Sequence, residues 1–191
     1  MAITIDGTGT IGGITAGGLP NGIITKDDLA AGAAGAILQV VQTEITSQYS
    51  VTSTATEAEL TGFTLDITPS SASSKVLIMG TVQIGGGSAF AGQYISLERN
   101  TQKIFVGTST SNRNAATIVI EEQVGVYGPE INHFSYLDSP NSTSTVTYRL
   151  IHADKSGGAG NALYVNLGSN SSDSVSYSRT SSSLIAMEVG A

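Results

Sequence analysis

The chain of 191 residues has no cysteine and no tryptophan, four prolines and two histidines. Without cysteine there is no disulfide framework and no thiolate to act as nucleophile or metal ligand. Charge is scarce as well: 12% of the residues carry it, about half of the ~25% of an average soluble domain. Ser, Thr, Gly and Asn fill the gap and give a neutral, hydroxyl-rich surface. The 8 basic residues are outnumbered by 15 acidic ones, for a net charge of −7. Phosphate backbones and anionic membrane surfaces are met by clustered Lys and Arg, so no nucleic-acid partner is expected. No apolar run approaches the roughly 18 residues of a spanning helix, so no membrane span is expected. The opening Met1 to Asp6 has neither the basic nor the apolar stretch of a secretory signal.

Catalytic patterns are missing too. His133 and His152 are the only near-neutral bases. A Ser-His-Asp set drawing on Ser135 or Ser139 with Asp138 has no weight in a chain this rich in serine, and no Gly-x-Ser-x-Gly elbow occurs. His133 sits in an alternating stretch and reads as a structural or surface residue. Glu98, Glu121 and Glu122 are the carboxylates that glycoside cleavage would draw on. Glu121 and Glu122 are adjacent on an expected strand, however, and point to opposite faces. Gly7 to Gly12 matches the dinucleotide fingerprint on paper. That fingerprint needs a helix starting within it, and Gly13, Gly17, Gly18 and Pro20 forbid one. No calcium-loop pattern occurs, and two scattered histidines are not a ligand set. The chain is read as no enzyme, with no catalytic, cofactor-binding or metal residue assigned and no cofactor expected.

What the sequence does hold begins with residues 1–36. Gly and Ala dominate, with aliphatics spaced through them: Ile3, Ile5, Ile11, Ile14, Leu19, Ile23, Ile24 and Leu29. Glycine loses the most backbone freedom on ordering and has no side chain to bury, so this stretch cannot build its own core. Solvated linkers and disordered tails lack such a supply of β-branched residues. The segment is expected to shelter its aliphatics against other polypeptides, as an extended inter-chain stalk or anchor. Thr25 can cap a helix, Asp28 can complete the capping box, and Asp27 and Asp28 suit a first turn. Gly32 stops it, so one short helix is expected over 26–31.

From Ile37 the pattern is strand after strand, and residues 37–191 read as a globular head. Phe63, Leu65 and Ile67 alternate with Thr64, Asp66 and Thr68. Val76, Ile78, Val82 and Ile84 mark a long strand with Leu77 and Met79 on its other face. That suits a central strand, or a face set against a neighbouring subunit. Further strands are expected over 37–43, 94–99, 103–106, 117–126, 131–137, 144–153, 162–167 and 184–189. The loop at 85–89 is expected to be flexible. Nine or ten short strands with short connections predict an all-β, antiparallel β-sandwich, jelly-roll-like head; the strand order is open at this point. Loops on such a scaffold are common binding sites. Tyr127, beside Gly128 and Pro129, and Tyr177, in the last Ser-rich loop, are the candidates for surface recognition, and the polar loops suit a neutral glycan.

Several stretches carry a resemblance. Gly18 to Ala33 looks like the short linking motif of bacteriophage tail fibres. Ala36 to Gln42, Ile67 to Ile78, Ser135 to Pro140 and Leu184 to Glu188 are similar to head domains of fibre proteins from marine cyanophages and related phages. The resemblance implies a structural virion protein, a tail fibre or fibre tip, made in the host cytoplasm and carried on the virion. It implies a homo-oligomer, a trimer, joined to other virion proteins through residues 1–36 and facing a host-surface glycan. The alternatives are a capsid decoration or capsid fibre protein, and a small carbohydrate depolymerase on the same scaffold.

Overall fold

The structure, a computed structural model, describes residues 37–86, 92–120, 127–155, 161–168, 172 and 174–190. The eight aliphatic residues assigned to the stalk, the short helix at 26–31 and the boundary at 36/37 lie outside the described residues, as do Glu121 and Glu122.

Among the described residues eleven strands are seen: β1 (Ile37–Ile45), β2 (Tyr49–Ser53), β3 (Ala58–Ile67), β4 (Lys75–Gly86), β5 (Gln93–Arg99), β6 (Gln102–Ile104), β7 (Ile118–Ile120), β8 (Glu130–Asp138), β9 (Val146–Asp154), β10 (Asn161–Val165) and β11 (Ser182–Val189). Among the described residues there is no helix. One sheet runs β1-β11-β4-β10-β2, with β8 on the other side of β4; the second runs β3-β9-β5-β6, with β7 beside β5.

All pairings are antiparallel, and their nesting defines the fold. Take β1, β3, β4, β5, the β6–β7 pair, β8, β9 and β11 as eight successive strands. The first pairs with the eighth, the second with the seventh, the third with the sixth and the fourth with the fifth. That is one long antiparallel ribbon rolled on itself, a jelly roll. β2 and β10 are an addition to the first sheet: they pair with each other, and β10 pairs with the end of β4.

The core forms where the inward residues of the two sheets meet. Val76, Ile78, Val82, Ile84, Leu163, Val165, Leu184 and Ala186 from the first sheet share it with Phe63, Leu65, Ile67, Ile95, Leu97, Val146, Tyr148 and Leu150 from the second. Burying each Val, Leu, Ile or Phe of this set is worth about 1.5–3 kcal/mol. Phe63, Leu65 and Ile67 point inward as their alternation predicts. β3 pairs with β9 on either side of an irregularity between Glu59 and Thr64, and Gly62 lies there with φ +87°. A left-handed residue inside a strand marks a bulge, and glycine takes it without steric cost.

Buried polar groups fasten the ends of the sandwich. Asp138 of β8 accepts hydrogen bonds from the Tyr148 hydroxyl at 2.6 Å and from Arg99 at 2.9 and 3.0 Å, so it ties the two sheets together. Glu188, 1% exposed, accepts from Gln39 Nε2 at 2.7 Å and from the Ser70 amide and hydroxyl at 2.7 and 2.6 Å. Asn166, also buried, donates to the Ile45 and Ser47 carbonyls and accepts from the Ser182 hydroxyl.

The structure corrects several expected bounds. β2 is a strand that the pattern did not predict. β4 continues through Gly85 and Gly86, expected as loop, because β10 pairs with them. The strand expected over 103–106 stops at Ile104, since Phe105 turns to φ +51°. The one expected over 162–167 stops at Val165, where Asn166 takes φ +61°.

Candidate recognition and assembly surfaces

The first sheet has an unusual outer face. In an antiparallel sheet with one wet side, outward residues are normally polar. Here register aligns Val40 of β1 with Met187 of β11, Met187 with Leu77 of β4, and Leu77 with Leu137 of β8. The next outward row places Ile185 beside Met79. Val40 is 55% exposed and Leu137 48%, and Ile131, opposite Gln83, adds to the same side. Leu77 and Met79 thus lie on the outward side of β4, as their spacing indicates.

The second sheet's outer face is the opposite kind. Glu98 binds Arg149 through Nε and a terminal nitrogen, both at 2.8 Å, with Glu59 3.7 Å from the same guanidinium. Thr147 donates to Asp66, and Glu57 pairs with Lys103 and accepts from the Tyr94 hydroxyl. Burial pushes the Glu57 carboxyl up, but the bonds from Lys103 and Tyr94 outweigh it and hold it below the ordinary value. Tyr94 is pushed well up by burial and by the carboxylate beside it.

Aromatic residues gather at two places. Tyr127 and Tyr177, fifty positions apart, meet with ring centroids 5.5 Å apart and planes tilted by 31°. Tyr127 is 59% exposed. The structure therefore brings together the two tyrosines singled out for surface recognition.

The other gathering was not anticipated. Phe105 stacks on Tyr136 at 5.1 Å and lies 6.5 Å from Phe134. Phe134 lies against Gly80 of β4, where an added Cβ would come within 2.1 Å of its ring; only glycine leaves that room. Phe105 is 43% exposed in a left-handed backbone conformation, which is an outlier for a bulky side chain. It is held there: the Thr117 hydroxyl donates to the Phe105 carbonyl at 3.0 Å and accepts from the Leu97 amide at 2.9 Å. Beside it lies a cleft of about 560 Å³ at Phe105, Phe134, Thr117 and Gly80; Thr81, His133 and Ser135 border it from β4 and β8, with side chains that alternation sets on the outer face of the sheet. Thr81 Oγ1 and His133 Nδ1 are 3.2 Å apart.

The residues weighed for catalysis are dispersed. His133 is exposed on the outer side of β8, between Ile131 and Leu137 in the alternation. His152 is buried, with Ser53 Oγ 2.8 Å from its Nδ1, and burial holds its pKa below the ordinary histidine value. Glu98 is paired with Arg149, and Asp138 with Arg99 and Tyr148, so neither carboxylate stands free.

These features define an all-β jelly-roll sandwich whose first sheet carries an apolar stripe on its outer face, flanked by Gln42, Ser135, Glu44 and Thr81, and whose second sheet carries ion pairs there. No family model matches the chain, and no curated protein matches it in sequence. Among solved structures it is similar to the VP2 protein of infectious bursal disease virus in a D431N mutant T=1 particle. The TM-score is 0.38 and the identity 13%, over 78% of this chain and 36% of that one. It is also similar to the VP2 subviral particle, with TM-score 0.38 and 12% identity, over 80% and 38%. A Gx strain structure of the same virus scores 0.36 at 10% identity, over 79% and 38%. The chain thus spans less than two-fifths of the length of these viral structural proteins, and at such values the likeness assigns no family or activity.

Proposed function

We propose that this chain is a structural virion protein, a phage tail fibre or fibre tip. Residues 1–36 anchor it to other virion proteins, copies associate as a homotrimer, and the β head faces the host surface, with Tyr127 and Tyr177 among its contacts. The capsid fibre or capsid decoration protein is the other placement that the same features suit.

The observation that supports an assembling part is the outer face of the first sheet. Soluble monomers seldom expose wide contiguous apolar patches, and those that do usually bury them against a partner. The row from Val40 to Leu137 crosses four strands, and no charged residue interrupts it. The sequence resemblance supplies the setting, a virion.

The test is placement on the particle. An antibody raised against the full chain should label purified virions at the tail fibres in negative-stain images. Label on the capsid would move the protein to the second placement. Absence of the chain from purified particles would overturn the virion reading.

A further inference from the structure

We propose that the hollow between β2, β10 and the segment leading into β11 binds a sugar residue that carries a carboxylate, with Arg179 as its counter-charge. This deepens the recognition role above and rests on it for its setting.

Register fixes the position of the hollow. Tyr164 of β10 is paired with Ser50 of β2 and with Gly85 of β4. Leu163 and Val165, on either side of Tyr164, are buried in the core, and Tyr49 and Val51, on either side of Ser50, pack against it. Alternation therefore sets the Tyr164 and Ser50 side chains next to each other on the outer face of the sheet. Gly85 shares that row. A Cβ on it would come within 2.2 Å of the Leu167 carbonyl oxygen. The chain turns at Asn166, φ +61°, and lays Leu167 and Gly168 over Gly85 as one wall. With Gln48 and Arg179 these residues border a space of about 300 Å³, at the small end of ligand sites and suited to one monosaccharide.

Asn166 holds the walls together. Its side chain donates to the Ile45 and Ser47 carbonyls at 2.7 and 2.9 Å and accepts from the Ser182 hydroxyl at 2.6 Å. Its carbonyl accepts from Gln48 Nε2 at 3.0 Å and from the Thr180 amide at 3.3 Å. The β1–β2 turn, β10 and the stretch carrying Arg179 are thus tied to one buried residue, and the hollow is formed without a ligand.

The free groups select what enters. Arg99, Lys103 and Arg149 each pair with a carboxylate. Among the described residues Arg179 pairs with none, and the hollow's lining holds no Asp or Glu. The Ser50 and Tyr164 hydroxyls and Gln48 Oε1 have no partner among those residues either. A guanidinium meets a carboxylate through two parallel hydrogen bonds. The hydroxyls and the amide oxygen exchange hydrogen bonds with sugar hydroxyls. Phosphates are met by clustered cations, whereas one arginine in a chain of net charge −7 matches a single negative charge. Loop composition alone points to a neutral glycan; the free guanidinium makes it an acidic one.

The test uses the full chain with the methyl glycosides of glucuronate, galacturonate and N-acetylneuraminate, the methyl esters of the same three, and inorganic phosphate. Binding is read by saturation-transfer NMR and titration. At least one carboxylated glycoside should bind, about ten-fold or more tighter than its ester. Arg179→Gln should weaken that binding to the level of the ester. The variant should keep the parent's circular dichroism and melting temperature, since Arg179 is exposed. Ser50→Ala should weaken binding a few-fold. If no carboxylated glycoside binds, if Arg179→Gln binds as well as the parent, or if phosphate binds as tightly as the sugars, the proposal is overturned. Particle labelling is read independently, so labelled virions with no sugar binding would remove the hollow as a site and leave the virion reading in place.

Discussion

On the outer face of the second sheet, Arg149 sits between Glu98 and Glu59, Lys103 pairs with Glu57, and Thr147 bonds Asp66. On the outer face of the first, Val40, Met187, Leu77 and Leu137 lie side by side with Ile185 and Met79. Both sheets bury their other side in the same core, so the core does not dictate the difference. A face whose polar groups are satisfied within the chain gains little from a partner. A face of half-exposed aliphatics gains about 25 cal/mol for each Å² of apolar area removed from water. The contrast separates a finished surface from one suited to assembly.

The largest expected effect breaks what both faces share. Asp138→Ala removes the acceptor that joins Arg99 and Tyr148 across the sandwich and leaves both without it. A loss of about 2–3 kcal/mol in urea unfolding is expected, since the buried Tyr148 hydroxyl loses its acceptor and the partly exposed Arg99 keeps only the Ser139 carbonyl. Gly80→Ala comes next. Its new Cβ meets the Phe134 ring, and forcing a packed ring aside costs about 1–3 kcal/mol; Phe134→Leu in the same chain should recover part of it.

Smaller effects sharpen the contrast itself. Glu98→Ala on the polar face should cost about 1 kcal/mol of folding stability with no change in oligomeric mass, because Arg149 keeps only its longer contact to Glu59. Val40→Lys on the apolar face should change the folding stability of the separated chain by no more than about 0.5 kcal/mol, as exposed positions usually do.

Glu188 gives a pH signature. Burial raises its pKa, but the bonds from Ser70 and Gln39 outweigh burial and leave it below the ordinary carboxylate value of 4.5. A carboxyl that is more acidic when folded stabilises the fold above its unfolded pKa, and that contribution fades as pH falls through its lowered folded value. Unfolding free energy should therefore decline as pH falls below about 4.5, and Glu188→Gln should flatten that part of the profile.

Much of the sandwich could be read from local pattern. Phe63, Leu65 and Ile67 announce β3, and the two-sided apolarity of β4 points to a face beyond the core. β2 escaped because Tyr49 and Val51 are its only apolar residues, and its buried Ser53 is matched to His152 from a distant strand. The jelly-roll order was not legible, because pairing Ile37 with Val189 is a long-range property with no local mark. Tyr127 and Tyr177 stood out singly as exposed aromatics beside turns, yet their meeting depends on the fold. Phe105 was taken for a strand residue. Left-handed backbone is signalled by Gly, Asn or Asp, and the reason it falls on Phe105 lies in Thr117 and Tyr136, elements apart in sequence.

The most direct measurement is the solution mass of the full chain at micromolar concentration, by size exclusion with light scattering, beside the double variant Val40→Lys/Leu137→Lys. If the apolar face is an interface, the parent elutes as three copies of the 19.5 kDa chain and the variant as one, with its circular dichroism unchanged. A parent that runs as a single copy, or a variant that keeps the parent's mass, would contradict it.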